Sequence, residues 1–210
     1  MLRKFTLLLV AFALFAPIAY ADSITLNVDG NGILTGARNV MVGGTLYDVD
    51  FVDGTCESVF GACDVSHFVA TDAASATLFS QALLDQVLID GSAGSFDSLP
   101  STIFGCGPAT RQNTICIVYT PFGIILGGSL GTETRFSEAV DWYPSGIDPD
   151  EVVTSGGLLA YDTTDQDCCV WAKWSAVPEP PTLALLPLGL IGIAVLRRRR
   201  CSVHGRNPSR

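Results

Sequence analysis

The apolar positions change period along the chain, and each period predicts a different element. In residues 45–51, Tyr47, Val49 and Phe51 alternate with Asp48 and Asp50. Period two puts the apolar side chains on one face of a strand and the carboxylates on the other, as in a sheet with one wet side. Residues 39–42 and 45–51 read as a hairpin across Gly43-Gly44, because two glycines supply the positive φ of a two-residue turn. A short strand is expected before it, at residues 24–28. In residues 71–90 the period becomes helical. Ala76, Phe79, Leu83 and Val87 form a stripe with Leu84 and Leu88 beside it, which reads as core packing against the sheet. Thr71 or Asp72 caps the start, and Gly91 closes the end. Residues 92–111 read as loop. A second hairpin is expected from residues 115–120 and 123–127, turning at Thr120-Pro121-Phe122-Gly123. Short strands follow at 132–142, 152–154, 158–161 and 169–174, with a loop at 144–150. No fixed-period repeat is visible, which excludes solenoids and propellers. The expected class is α+β: a mostly antiparallel sheet with one packed helix, plus an N-terminal signal helix and a C-terminal transmembrane helix.

Two apolar runs stand outside this pattern. Arg3 and Lys4 precede the run at 7–15, Pro17 breaks it, and Ala19-Tyr20-Ala21 gives an A-x-A cleavage site. Residues 1–21 therefore read as a secretory signal peptide cut after Ala21. The second run, 182–196, follows Val177-Pro178-Glu179-Pro180 and precedes Arg197, Arg198, Arg199 and Arg200. As a helix it reaches about 22 Å, short of a hydrocarbon core of roughly 30 Å. It reads as a marginal span suited to a temporary stay. The arginine block keeps the tail in the cytoplasm and sends the body across the membrane.

That order of Val-Pro-Glu-Pro, apolar helix and arginine cluster resembles the PEP-CTERM sorting signal of Gram-negative bacteria. The same C-terminal domain is also catalogued under an ice-binding-protein C-terminal label. The resemblance implies that an exosortase, a membrane cysteine transpeptidase-like enzyme, recognises Pro-Glu-Pro and processes the tail. It implies export through the inner membrane to the cell surface or extracellular matrix, usually among exopolysaccharide. The implied partners are the exosortase, the secretion machinery and the membrane as a transient anchor. Four segments are expected: signal peptide 1–21, secreted body 22–176, sorting signal 177–200 and cytoplasmic tail 201–210. Within the body, the run from Gly43 to Gly54, the alanine-rich helix and Thr120-Pro121-Phe122-Gly123 are similar to a recurring PEP-CTERM cargo with no assigned activity. A sorting tag does not fix what its cargo does.

Composition adds one thing, and charge adds more. Apolar residues make 48% of the chain and charged ones 16%, so the chain is not disordered. The net charge of −9 hides a sharp segregation, because residues 22–176 carry four basic and 20 acidic groups, a formal −16. Such a body repels nucleic acid and anionic head groups, and attracts divalent cations or basic partners. No nucleic-acid partner is expected.

Six of the seven cysteines lie in the exported body: Cys56, Cys63, Cys106, Cys116, Cys168 and Cys169. An even set in an oxidising compartment reads as disulfides. A Cys168–Cys169 bond is disfavoured, since it closes an eight-membered ring. Cys56–Cys63 and Cys106–Cys116 are the cheapest pairs, with Cys106–Cys116 the first choice. Forming both leaves the two neighbours with only each other, so at least one local pair is expected to fail.

Candidate chemistry is sparse. Asn27, Asp29 and Asn31 resemble the start of a calcium loop, with Gly32 at the sixth position. Arg38 stands where a bidentate carboxylate belongs, so a plain turn is the stronger reading. Asp162, Asp165 and Asp167 form one acidic cluster, and Asp148, Asp150 and Glu151 another. Either suits Ca²⁺, and solvated loops suit them better. Cys56, Cys63 and His67 mimic three zinc ligands, but export favours disulfides. No Gly-x-Ser-x-Gly elbow is present, and nothing singles out a glycosidase pair among 20 carboxylates. Trp142, Tyr143, Tyr161, Trp171 and Trp174 are the aromatics a sugar binder displays. Trp171 and Trp174 fall on opposite faces of a strand, so at most one is expected at the surface. The expectation is a non-enzymatic, exosortase-sorted surface or matrix protein without a cofactor, associated with exopolysaccharide. The alternatives are a surface hydrolase and a Ca²⁺- or polysaccharide-binding module.

Overall fold

Period-two patterning builds a meander at the start of the folded body. In the computed structural model, which describes residues 23–107, 115–128, 131–142, 150–158 and 161–178, β1 (Thr25–Val28), β2 (Leu34–Val42) and β3 (Thr45–Val52) pair antiparallel. Gly43 and Gly44 turn β2 into β3 with φ of 57° and 90°, as the expected two-residue turn requires. Val49 and Phe51 are buried, and Tyr47 packs on the same cluster. Asp48 and Asp50 take the other face, where Arg38 pairs with both at 3.8 and 2.7 Å. Gly36, at φ 147°, sits so close to β3 that an added Cβ would lie 2.2 Å from the Val49 carbonyl oxygen.

Two helices follow. The short α1 (Cys56–Phe60) is capped by the Thr55 hydroxyl, which accepts from the Ser58 N–H. Helix α2 (Ala73–Gln86) begins on a capping box: Asp72 accepts from the Ser75 N–H at 2.8 Å, and Ser75 Oγ accepts from the Asp72 N–H. The expected stripe of Ala76, Phe79, Leu83 and Val87 is buried. The helix ends earlier than its periodicity predicts. Val87 and Leu88 both donate to the Leu83 carbonyl and sink into the core. Gly91 therefore does not close the helix. It lies in a small hairpin, β4 (Asp90–Gly91) and β5 (Gly94–Ser95).

The second predicted hairpin is corrected. Residues 115–120 and 123–127 are one long strand, β6 (Ile115–Gly128), which pairs antiparallel with β7 (Gly131–Trp142). Pro121 does not turn the chain. The register shifts between Pro121 and Gly123, so the residue without an N–H sits where the ladder is already broken. Strand β8 (Glu151–Leu158) pairs with β7. Of the strand expected at 158–161, Leu158 ends β8, Tyr161 lies outside any strand, and residues 159–160 lie outside the described residues.

The last strand, β9 (Cys169–Ala176), enters the middle of the sheet. It runs antiparallel to β3 and parallel to β6, giving the order β1-β2-β3-β9-β6-β7-β8. Both of its faces are covered. Trp174 packs against Phe79 of α2 with centroids 4.9 Å apart and the rings tilted by 59°, and its Nε1 donates to Thr120 Oγ1. On the opposite face Trp171 meets Phe60, Tyr119 and Phe136, and its Nε1 donates to the Gly54 carbonyl. The two tryptophans occupy opposite faces as expected, and both are core.

The cysteines pair as Cys56–Cys63, Cys106–Cys116 and Cys168–Cys169, with Cα separations of 5.3, 5.5 and 3.8 Å. Both local pairs form, and the disfavoured bond between neighbours forms with them. Once the first four cysteines are paired locally, Cys168 has one partner left in the body, and it is adjacent.

Two substitutions test this reading of local geometry. Asp72→Ala is expected to cost about 1 kcal/mol by removing the cap of α2. Gly36→Ala is expected to cost more, roughly 2–4 kcal/mol, because the strand must move away from Val49 and the φ is unfavourable. Chemical denaturation of the oxidised chain measures both. Equal costs would contradict the close approach at Gly36.

Candidate functional site

The site begins with an acid in the wrong place for a strand. On β7, Ser137, Ala139 and Asp141 share the inward face, and all three are fully buried. Asp141 lies directly across from Cys116 of β6, which the disulfide ties to Cys106. Among the described residues, neither carboxylate oxygen of Asp141 has a hydrogen-bond partner.

Two further aspartates are held against it by backbone hydrogen bonds. Asp90 Oδ1 accepts from the N–H groups of Asp97 and Ser98 at 3.1 and 3.0 Å, which curls the segment after β5 and presents Asp97. Asp150 Oδ1 accepts from the Trp142 N–H at 3.0 Å, which fastens the approach to β8 beside the end of β7. Asp97, Asp141 and Asp150 each bring a carboxylate oxygen within 4.8 Å of the others. Burial, and then the charges of Asp150, Asp97 and Asp90, push the Asp141 carboxyl up to about 9. Burial first, then Asp150 and Asp90, raises Asp97 as well.

The sequence-predicted candidates fall elsewhere. Asp29 spends its carboxylate on its own turn, accepting from the Asn31 and Ile33 N–H groups at 2.8 and 2.9 Å and from the Asn31 side chain. Asn27 is in β1, opposite Gly36. Asp162 caps a 3₁₀ turn, Thr163–Asp165, by accepting from Thr164. Asp150 does join a cluster, but not with its chain neighbours. Glu151 is exposed on β8, and Asp148 lies outside the described residues. Cys56 and Cys63 are bonded to each other, which removes them as zinc ligands. His67 is exposed and lines a cleft of about 460 Å³ with Phe60, Pro121, Lys173 and Trp174. Tyr143 lies outside the described residues. Asp97 and Asp141 were missed. The available signal was Asp141 itself, an acid at an inward position of the alternation Ser137, Ala139, Asp141.

Without a bound cation, Asp141 makes stability fall as pH rises. Its folded carboxyl holds a proton up to about pH 9, while an unfolded aspartate releases its own near pH 3.9. Across that window the folded state binds more protons, so stability is greatest at the acid end and declines upward. In the presence of EDTA, the melting temperature is expected to drop between about pH 6 and about pH 8. Asp141→Asn is expected to flatten that slope, and a flat profile in the unsubstituted chain would contradict the burial.

Of the sorting-signal residues, Val177 and Pro178 are described. β9 ends at Ala176, and the Val177 N–H donates to the Leu46 carbonyl at 3.0 Å. Glu179, Pro180, Arg197, Arg198, Arg199 and Arg200 lie outside the described residues, as do Ala19 and Ala21 and the apolar run at 182–196. Among the described residues no helix is long and apolar enough to cross a membrane. No curated protein and no solved structure matches the chain. One family model does match, over residues 176–200. At those residues the chain carries the PEP-CTERM protein-sorting motif.

Proposed function

We propose that this is an exported, non-enzymatic surface or matrix protein that an exosortase sorts by its Pro-Glu-Pro tail. The single observation that carries the reading is the PEP-CTERM motif at residues 176–200. Exposure of that tail to a processing enzyme leaves the body whole, because the last strand of the sheet closes at Ala176. The signal-peptide pattern at 1–21 supports export. The acidic body supports residence among hydrated polysaccharide, where its charge keeps it soluble and draws cations.

Intact mass of the native protein, from cells with and without their sorting enzyme, tests this. The mature chain is expected to start at Asp22 and to lose mass near Val177-Pro178-Glu179-Pro180 only when the enzyme is present. A full-length tail retained in the membrane of both strains would make the protein a plain anchored ectodomain.

A further inference from the structure

A carboxylate removed from water needs donors or a positive charge, because an unpaired buried charge costs several kcal/mol. Asp141 is fully buried and has no hydrogen-bond partner among the described residues. The charges that press on it are carboxylates. Asp97 and Asp150 are not drifting surface acids either. Asp90 folds the Asp97 segment into place, and Asp150 is hydrogen-bonded to the residue next to Asp141. Backbone hydrogen bonds and a disulfide-tied strand thus hold three carboxyl groups together, and ionising all three carries a Coulombic cost that only a cation or protons offset.

We propose that Asp97, Asp141 and Asp150 form a binding site for a hard divalent cation, with Ca²⁺ its preferred occupant. The donors are all carboxylate oxygens, which suit Ca²⁺ or Mg²⁺ and not a thiophilic metal. The spacing fits the larger ion. Ligand oxygens about 2.3–2.6 Å from Ca²⁺ stand at most about 4.6–5.2 Å from one another, and these three lie within 4.8 Å. Ca²⁺ also accepts irregular coordination completed by water, whereas Mg²⁺ demands a near-ideal octahedron. The ion would join three separate pieces of chain: the segment after β5, the end of β7 and the approach to β8. The inference is independent of the sorting motif and survives if that reading fails.

The test uses the full chain with its disulfides intact, stripped with EDTA and titrated with CaCl₂ and then MgCl₂ in a calorimeter, with melting followed in parallel. One Ca²⁺ per chain is expected, at about 0.1–1 mM or tighter, together with a melting temperature that climbs with Ca²⁺. Asp97→Asn and Asp150→Asn are each expected to weaken binding about tenfold or more, since each loses a charged ligand. Asp141→Asn is expected to abolish it while circular dichroism shows the fold retained. Asp165→Asn, an exposed acid outside the cluster, is expected to change nothing. No saturable binding at millimolar CaCl₂ would overturn the proposal. So would binding that Asp97→Asn and Asp150→Asn leave intact, and tighter binding of Mg²⁺ would overturn the assignment to calcium.

Discussion

Burial of β9 on both faces is the constraint on which the remaining structure depends. The strand is the last to be made, yet it lies between β3 and β6. Without it, among the described residues, the meander β1-β2-β3 and the meander β6-β7-β8 share no ladder. Its residues alternate between two cores: Val170, Ala172 and Trp174 pack toward α2, and Cys169 and Trp171 pack toward α1. Each tryptophan also ends in a hydrogen bond, one to Thr120 and one to Gly54, so no indole N–H of this strand is buried without a partner. A strand that closes a sheet this way gives its contacts high sequence separation, which raises the loop-closure entropy that folding must overcome.

That placement bears directly on the sorting tail. The chain leaves the centre of the sheet at Ala176, makes one more backbone bond at Val177, and enters Pro-Glu-Pro. Cleavage within Pro-Glu-Pro removes no residue of β9 and breaks no rung of its ladder. A tag fused to an edge strand would be a different case, because trimming there exposes a new unpaired edge. Here the two proline residues also resist extension of β9 into the tail, since proline lacks the N–H a ladder needs.

Period was the legible part of the sequence, and topology was not. Tyr47, Val49 and Phe51 announced their face of β3, and the Ala76-Phe79-Leu83 stripe announced α2. Strong local chemistry misled in two places. Pro121 and Gly123 carry turn residues but serve as a bulge within β6, because β7 supplies a partner on both sides of the break. Gly91 looks like a helix stop, but the pull of the core on Val87 and Leu88 ended α2 first. The parallel pairing of β6 with β9 depends on contacts between distant segments, to which periodicity is blind. The candidate site failed for the same reason. Sequence reading grouped acids by adjacency, as in Asp148, Asp150 and Glu151, whereas the fold groups Asp97, Asp141 and Asp150 from three separate elements.

The inward position of Asp141 is the strongest sign that this grouping is more than an accident of acidic composition. A body with a formal charge of −16 has a wide exposed surface on which to spread carboxylates. Placing one at a fully buried strand position, opposite a disulfide cysteine, gives up the hydration that makes a surface acid harmless. An alanine there, like Ala139 two residues before, would carry no such penalty. Protons and cations compete for the same three sets of oxygens, so acid conditions favour a neutral, cation-free cluster and neutral conditions favour a metal bridge. β7 and β8 are already joined by their own ladder, so what the surrounding positive charge governs is how the Asp97 segment is held against the end of β7 and Asp150. In surroundings that collect cations, such coupling would tie the packing of the Asp97 segment to the ionic state around it.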